Sequence, residues 1–227
     1  IDADGTEVVI LDTLNEFDRH QTTGEFRVSS QGDGALSWIA GVFYSDFDMD
    51  VDVALQGIAI DSGLAINLTG NTPQSTDNEA RAAFLSMEYN LAQALGSGPD
   101  VVLFGGVREN KDKTKLSGDQ QLFSSTAFPL GAPSATFPLP LDLSKGAFSG
   151  SENFSKTTGE FGARWNFIEN AMVYAKYANG YKAGKLQQVV DGSVGKVEPE
   201  QLDAYEIGLK SRWLDNSLQL NAAVFYY

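Results

Sequence analysis

The sequence predicts an all-β protein: an antiparallel transmembrane β-barrel fragment, about eight strands of a larger barrel with long extracellular loops. Three observations carry this prediction. Apolar and polar side chains alternate with a period of two along several stretches, which puts the two sets on opposite faces of a strand. The connections between those stretches alternate short and long. The composition, with 23 glycines, 11% aromatic residues and no cysteine in 227 residues, suits a chain of strands and turns.

Residues 1–19 are polar and rich in Asp and Glu, with a short apolar run at 8–11, and read as loop with a brief strand. Residues 24–30 (GEFRVSS) are strand-like and end at Gln31-Gly32-Asp33-Gly34, a glycine-rich hairpin turn. In 36–47, Trp38, Ala40, Val42 and Tyr44 share a face. Asp46, Asp48, Asp50 and Asp52 keep that parity but change its chemistry, so the strand there has left its apolar surroundings and projects into water. Residues 53–77 read as a polar loop.

The next strand, 79–91, places Ala83, Leu85, Met87, Tyr89 and Leu91 together, opposite Ser86, Glu88 and Asn90. Helix is the competing assignment for EARAAFLSMEYNLAQAL, since its residues favour helix, but the apolar positions fit period two better. A turn at 96–99 leads to 101–113, with Val101, Leu103, Gly105 and Val107 on one side. Residues 114–151 are rich in Pro, Gly, Ser and Phe, and the prolines at 129, 133, 138 and 140 exclude a central strand. In 152–167 the pattern resumes, with Phe161, Ala163, Trp165 and Phe167 opposite Glu160, Gly162, Arg164 and Asn166. Residues 170–227 supply three more strand-like segments. In 204–213 the large residues Tyr205, Ile207, Leu209 and Trp213 alternate with Glu206, Gly208, Lys210 and Arg212.

Alternation alone fits a soluble half-buried strand as well as a barrel strand with its apolar face to lipid. Loop lengths separate the two. Short connections lie near Gly32, Gly98, Glu169 and Asp215, and long ones span 53–77, 114–151 and 183–199. Outer-membrane barrels sort their loops in this way, with tight periplasmic turns and extended outer loops. A soluble sandwich has no reason to.

Composition narrows the function. Without cysteine there is neither a disulfide nor a thiolate metal site. The single histidine, His20, rules out a multi-histidine metal cage. Acidic residues outnumber basic ones by 30 to 16, a net charge of -14 that argues against nucleic acid as a partner. No run approaches the roughly 18 apolar residues of a spanning helix. Ile1 is neither a Met nor the start of a leader, and the closing AAVFYY reads as a strand cut midway, so the chain is expected to be an internal piece.

The segment 173–184 (VYAKYANGYKAG) and the segment 197–213 (VEPEQLDAYEIGLKSRW) resemble motifs of TonB-dependent outer-membrane receptors. The matching residues are Tyr174, Tyr177, Gly180, Tyr181, Lys182 and Gly184, then Pro199, Glu200, Tyr205, Glu206, Gly208 and Lys210. Residues 24–50 are similar to the family's W-x-x-G-x-F-Y hairpin. The resemblance implies a parent barrel of roughly twenty-two strands around an internal plug. It implies a bacterial outer membrane location, partners in outer-membrane lipid and a TonB energy-coupling protein, and a bulky small-molecule ligand such as a metal chelate. The plug, the coupling box and the final strand of the family are not found in these residues, so residues 1–227 are expected to be a partial barrel domain. A passive eight-stranded barrel and a soluble β-sandwich module remain rivals.

On this reading Arg108, Glu160, Arg164, Lys176, Glu206, Lys210 and Arg212 face the lumen, where charges avoid the roughly 2–4 kcal/mol that Arg or Lys costs on the lipid face at midplane. Ion pairing among themselves and with the plug is their expected role. Tyr181, Lys182 and Lys185 are the loop candidates for ligand contact, although Tyr181 also fits a plain interfacial tyrosine. The ladder Asp46 to Asp52 spaces its same-face residues about 6.5–7 Å apart, too far for a tight cation cage without loop folding, so no metal site and no cofactor is expected. The Asn-x-Ser/Thr triplets at Asn67 and Asn153 are read as chance. His20 beside Arg19 has no nucleophile partner, and no catalysis is expected. The barrel reading predicts that membranes of cells making the parent protein release it only with detergent; release into plain buffer would count for the soluble module.

Overall fold

The computed structural model describes residues 11–61, 64–129, 137–142, 144–189 and 191–227. The strands are β1 (Leu11–Ser29), β2 (Leu36–Asp61), β3 (Leu64–Asn90), β4 (Asp100–Pro129), β5 (Phe137–Asp142), β6 (Gly146–Ile168), β7 (Ala171–Lys182), β8 (Lys185–Gln188), β9 (Val194–Val197), β10 (Glu200–Trp213) and β11 (Leu218–Tyr226), with one short helix, α1 (Leu91–Leu95). The main sheet runs β1-β2-β3-β4-β6-β7-β10-β11, with β5 added to β4 alone and β8–β9 a separate hairpin. Every pairing is antiparallel. The free edges of β1 and β11 have no partner among the described residues, so the sheet stays open.

Period-two alternation sorts the two faces as expected. Along β3, Ala82, Phe84, Ser86, Glu88 and Asn90 are shielded while Ala83, Leu85, Met87 and Tyr89 are exposed. The exposed side is the apolar one: Phe26 is 68% exposed, Val42 54%, Phe161 65% and Ile207 68%. A soluble fold would cover such a surface, yet nothing packs on it among the described residues. The polar side is the enclosed side. On β2 the apolar belt runs from Leu36 to Tyr44, close to the 9–11 or so residues a tilted strand needs to cross a bilayer.

Aromatic side chains mark both margins of the belt. At the long-loop end Phe161 lies 5.3 Å from Tyr177, which lies 5.0 Å from Tyr205. At the short-turn end Trp165 and Phe167 are 5.8 Å apart, with the exposed Tyr89 and Trp213 on the same margin. Amphipathic rings suit the headgroup level, which accounts for this placement.

On the enclosed face, aromatic rings lie over glycines of the facing strand. Phe84 pairs with Gly41, Phe104 with Gly162, Phe148 with Gly118 and Tyr174 with Gly208. A Cβ added at Gly162 would come within 2.4 Å of Phe104, and one at Gly208 within 2.5 Å of Tyr174. Glycine is required at these positions for close approach rather than for backbone freedom.

The strands run further than the pattern suggests. β1 takes in residues 11–19, whose composition reads as loop with a brief strand. Residues 53–77, read as a polar loop, continue β2 and β3 to the pair Asp61–Leu64. β4 extends to Pro129 and β6 begins at Gly146, well inside the expected 114–151 connection. β4 has 30 residues, roughly 100 Å of extended chain against about 30 Å of hydrocarbon. Pro138 and Pro140 fall in β5, which pairs among the described residues with β4 alone, as a strand carrying prolines tolerates. The run 8–11 and Pro133 lie outside the described residues, apart from Leu11. The helix reading of 79–95 holds for a single turn: Leu91 leaves the strand face for α1, capped by the Asn90 side chain accepting from the Gln93 amide at 3.0 Å. Gly96 at φ 73 ends it.

Gly162→Val in the parent protein is expected to lower folding stability in detergent micelles by about 1–3 kcal/mol, the usual range for overpacking. Gly34→Ala, with nothing within 4 Å of its added carbon, is expected to leave the urea midpoint unchanged.

Candidate functional site

The enclosed face carries the charge. Arg164 on β6 reaches across β4 to Glu88 on β3, its two guanidinium nitrogens 3.0 and 2.6 Å from the two carboxylate oxygens. This two-pronged geometry is the one in which Arg outperforms Lys. Nearer the short turns, Asp100 accepts from the side-chain amides of Asn90 at 3.0 Å and Asn166 at 2.7 Å. On the other side of β6, Glu206 accepts from the Tyr174 hydroxyl and pairs with Lys176 at 3.1 Å. Lys210 lies 5.5 Å from the centre of the Tyr174 ring. Register explains the grouping, since Glu206 stands opposite Lys176 and Gly208 opposite Tyr174. Arg212 and Lys210 line a cavity of about 290 Å³ by the turn after β10.

Toward the long-loop end the face opens into a cavity of about 490 Å³ lined by Glu25, Arg27, Phe84, Arg108, Glu160 and Asn179, among others. The Arg108 guanidinium sits 5.3 Å from the centre of the Phe43 ring and 5.9 Å from that of Phe84, and its Nε donates to Asn110 Oδ1 at 2.8 Å. Such contacts hold a cation in place without neutralising it. Arg27 pairs with Glu25. Glu160 shares the cavity, but its side chain makes no ion pair or hydrogen bond among the described residues.

Beyond this cavity Asp112 and Tyr181 face each other. Neither Asp112 Oδ2 nor the Tyr181 hydroxyl completes a well-formed hydrogen bond, although both atoms are buried. Burial first, then the neighbouring Asp112 carboxylate, pushes the Tyr181 phenol up to about 12. Burial also raises the Asp112 carboxyl, opposed by Tyr181 and by the charge of Arg108. The two buried atoms have polar capacity to spare.

Over this end the β8–β9 hairpin folds back on the enclosed face. Residues 183–199 form the expected long connection at this end, and its hairpin turns inward: Val194 and Leu186 pack onto Gly150, and Gln188 bridges Gln74 at 2.8 Å and Gln120 at 3.1 Å. Thr114, Leu116, Phe148 and Phe154 are the buried residues at this end among the described residues. Lys196 lies 5.4 Å from the Phe154 ring centre, with Glu198 at 3.2 Å.

All of Arg108, Glu160, Arg164, Lys176, Glu206, Lys210 and Arg212 lie on the face that carries this network. Lys176 and Glu206 meet directly, Lys210 joins them through Tyr174, and Arg164 pairs with Glu88 rather than Glu160. Of the loop candidates, Tyr181 meets Asp112, Lys182 makes an exposed 3.5 Å pair with Glu200, and Lys185 is exposed at the start of β8. Phe43, Phe84, Tyr174 and Asp112 were not singled out for this face. For Phe43, Phe84 and Tyr174 the signal is a same-parity aromatic among small and charged residues, and Asp112 shares the parity of Arg108 on β4.

The acidic ladder lies on the opposite, outward face, above the apolar belt. Asp46, Asp48 and Asp77 bring carboxylate oxygens within 4.8 Å of one another. Burial and then the charge of Asp46 raise the Asp48 carboxyl, whereas the hydrogen bond from Lys115, at 2.6 Å, holds Asp77 low. His20 stands opposite Asp48 and contacts Asp18 at 3.5 Å.

Residues 3–227 match the family profile described as TonB dependent receptor-like, beta-barrel. Over 89 residues, the chain is 30% identical to the probable TonB-dependent siderophore receptor PiuA of Acinetobacter baumannii, covering 36% of this chain and 12% of that protein. Among solved structures it is similar to the ferric yersiniabactin uptake receptor FyuA from Yersinia pestis. The TM-score is 0.67 at 19% identity, over 95% of this chain and 29% of that one. The chain thus spans less than a third of either protein, and at this identity the structural likeness speaks for the fold.

The raised Asp112 carboxyl gives a pH prediction with a definite sign. Its folded form binds a proton more tightly than the unfolded form, so its contribution to stability grows as pH falls through the folded-state value. Asp112→Asn in the parent is therefore expected to raise the urea midpoint at pH 7 and to converge with the unmodified protein at pH 4. The Tyr181 contribution, with the phenol at about 12, is present below the ordinary phenol value near 10 and lost as pH rises through about 12.

Proposed function

This chain belongs to the TonB-dependent receptor β-barrel family, and on that premise we propose that it forms part of the wall of a bacterial outer-membrane receptor for a bulky, scarce nutrient. The observation that carries the reading is the sorting of the faces. An uncovered apolar belt between aromatic margins suits lipid, while the enclosed face holds paired charges and an open, charged cavity. Backbone groups cannot be left unpaired in hydrocarbon, so the free edges of β1 and β11 call for further strands of the parent.

The enclosed face is then the lumen lining, and Arg108, Glu160, Arg164, Lys176, Glu206, Lys210 and Arg212 are lumen residues. The fixed pairs Arg164–Glu88 and Lys176–Glu206 stiffen the wall. Glu160 and Arg108 keep capacity for contact with a plug or a passing ligand. Tyr181, Asp112 and Arg108 at the outer mouth are the ligand-contacting candidates, with Lys182 and Lys185 on the loop beside them. A ferric siderophore is the favoured cargo, because one named relative is described as a siderophore receptor and the similar solved structure as a ferric yersiniabactin uptake receptor. Residues 1–227 act as barrel, and the plug and the TonB contact belong to the rest of the parent. No catalytic step is assigned.

Uptake of radiolabelled ferric chelates by iron-starved cells tests this. Deleting the parent gene is expected to abolish uptake of one chelate, and deleting the energy-coupling protein is expected to do the same. Uptake that persists without the coupling protein would point to a passive barrel. In the restored strain, Arg108→Glu is expected to weaken chelate binding at least tenfold, because it removes a cation held over two rings.

A further inference from the structure

Just beyond the Tyr44 margin, the outward side chains form a second site, distinct from the enclosed face. Register sets Tyr44, Arg81 and Lys111 in one row across β2, β3 and β4, and Asp46, Glu79 and Lys113 in the next. Two adjoining cavities share Arg81 and Lys111. The lower, about 680 Å³, is walled by the outward Phe26, Val42, Tyr44 and Ala83. The upper, about 340 Å³, is lined by Arg81, Lys111 and Lys113 with Glu79, Asn153 and Ser155.

The upper cavity is lined by three cations, Arg81, Lys111 and Lys113, against two carboxylates, Glu79 and Asp112. Arg81 pairs with Glu79 at 2.6 Å and lies 5.9 Å from the Tyr44 ring centre. Neither Lys111 nor Lys113 makes an ion pair among the described residues, though Lys113 acts at longer range on Asp77. Glu109, which also lines the lower cavity, accepts from the Thr157 hydroxyl. Asn153 and Ser155 add an amide and a hydroxyl donor to the cavity wall.

We propose that these cavities hold one lipid of the surrounding leaflet, its acyl chain against Phe26, Val42, Tyr44 and Ala83 and its headgroup phosphate among Arg81, Lys111 and Lys113. The proposal rests on the apolar face being the lipid face. An anionic headgroup supplies the charge that the two lysines lack, and juxtamembrane basic residues attract such headgroups. A free anion would leave the apolar cavity unused, and a zwitterionic lipid would leave the lysines uncompensated.

The test uses the full-length parent in non-ionic detergent, titrated with dipalmitoyl phosphatidic acid and followed by native mass spectrometry. One tightly held lipid is expected. Its Kd should rise about thirtyfold in the Lys111→Gln/Lys113→Gln variant, from roughly fivefold per lysine. Heat-modifiable gel mobility would show that the variant is folded. Ala83→Trp fills the lower cavity and spares the basic rim, so it should weaken the lipid too. Equal lipid binding by the double variant would overturn the proposal. So would phosphatidylcholine binding as tightly, or inorganic phosphate displacing the lipid at equal concentration, which would mark a site for an anion alone. Release of the parent without detergent would overturn the barrel reading and this proposal together, whereas detergent-dependent extraction with lipid binding unmoved by the double variant would overturn this proposal alone.

Discussion

A ring lying over a glycine on the facing strand is the contact on which the enclosed face depends. Phe84 on Gly41, Phe104 on Gly162, Phe148 on Gly118 and Tyr174 on Gly208 repeat it from β2 to β10. A side chain at any of these glycines would push the ring off the sheet. With the glycine in place, the ring lies down, covers the backbone opposite and offers its face to the interior. Cations then settle on the rings. Arg108 lies over Phe84, which lies over Gly41, and Lys210 lies over Tyr174, which lies over Gly208. Tyr174 also donates to Glu206, so one glycine organises a tyrosine, a carboxylate and two lysines.

This arrangement separates charges that are used up from charges that are available. Arg164 and Glu88 satisfy each other across two strand gaps, and Lys176 and Glu206 across one. Both pairs sit within the height of the apolar belt, where an unpaired ion would be costly. Above the belt the rules relax. Glu160, the Asp112–Tyr181 pair and the outward Lys111 and Lys113 all keep unsatisfied capacity, and all lie toward the long-loop end. The pairing is tightest within the belt and loosest toward the long-loop end.

The alternating stretches named from sequence form strands, and their faces came out as the parity implied, because within the belt each face meets a different medium. The extensions were not legible. Beyond the belt the residues of 53–77 turn small and polar and read as loop, although Val53, Leu55 and Gly57 keep the shielded parity, and the strands there are held by backbone pairing together with contacts such as Lys115–Asp77 and Gln188–Gln74. Prolines hid β5 for a related reason, since they forbid pairing on one side only. Leu91 kept the strand parity but turned into α1, because Asn90 caps a helix there.

By itself the sequence determined which residues share a face, where the short turns fall and that Arg108, Arg164, Lys176, Glu206, Lys210 and Arg212 belong with Glu160 on one side. Those are local consequences of a two-residue period. Only the tertiary structure decided which strand opposes which residue, and hence that Arg164 meets Glu88, that Tyr181 faces Asp112 and that the β8–β9 hairpin folds back over Phe148 and Phe154. Register across strands is set by turn lengths and by the glycine seats acting together, and no single stretch of the chain contains that information.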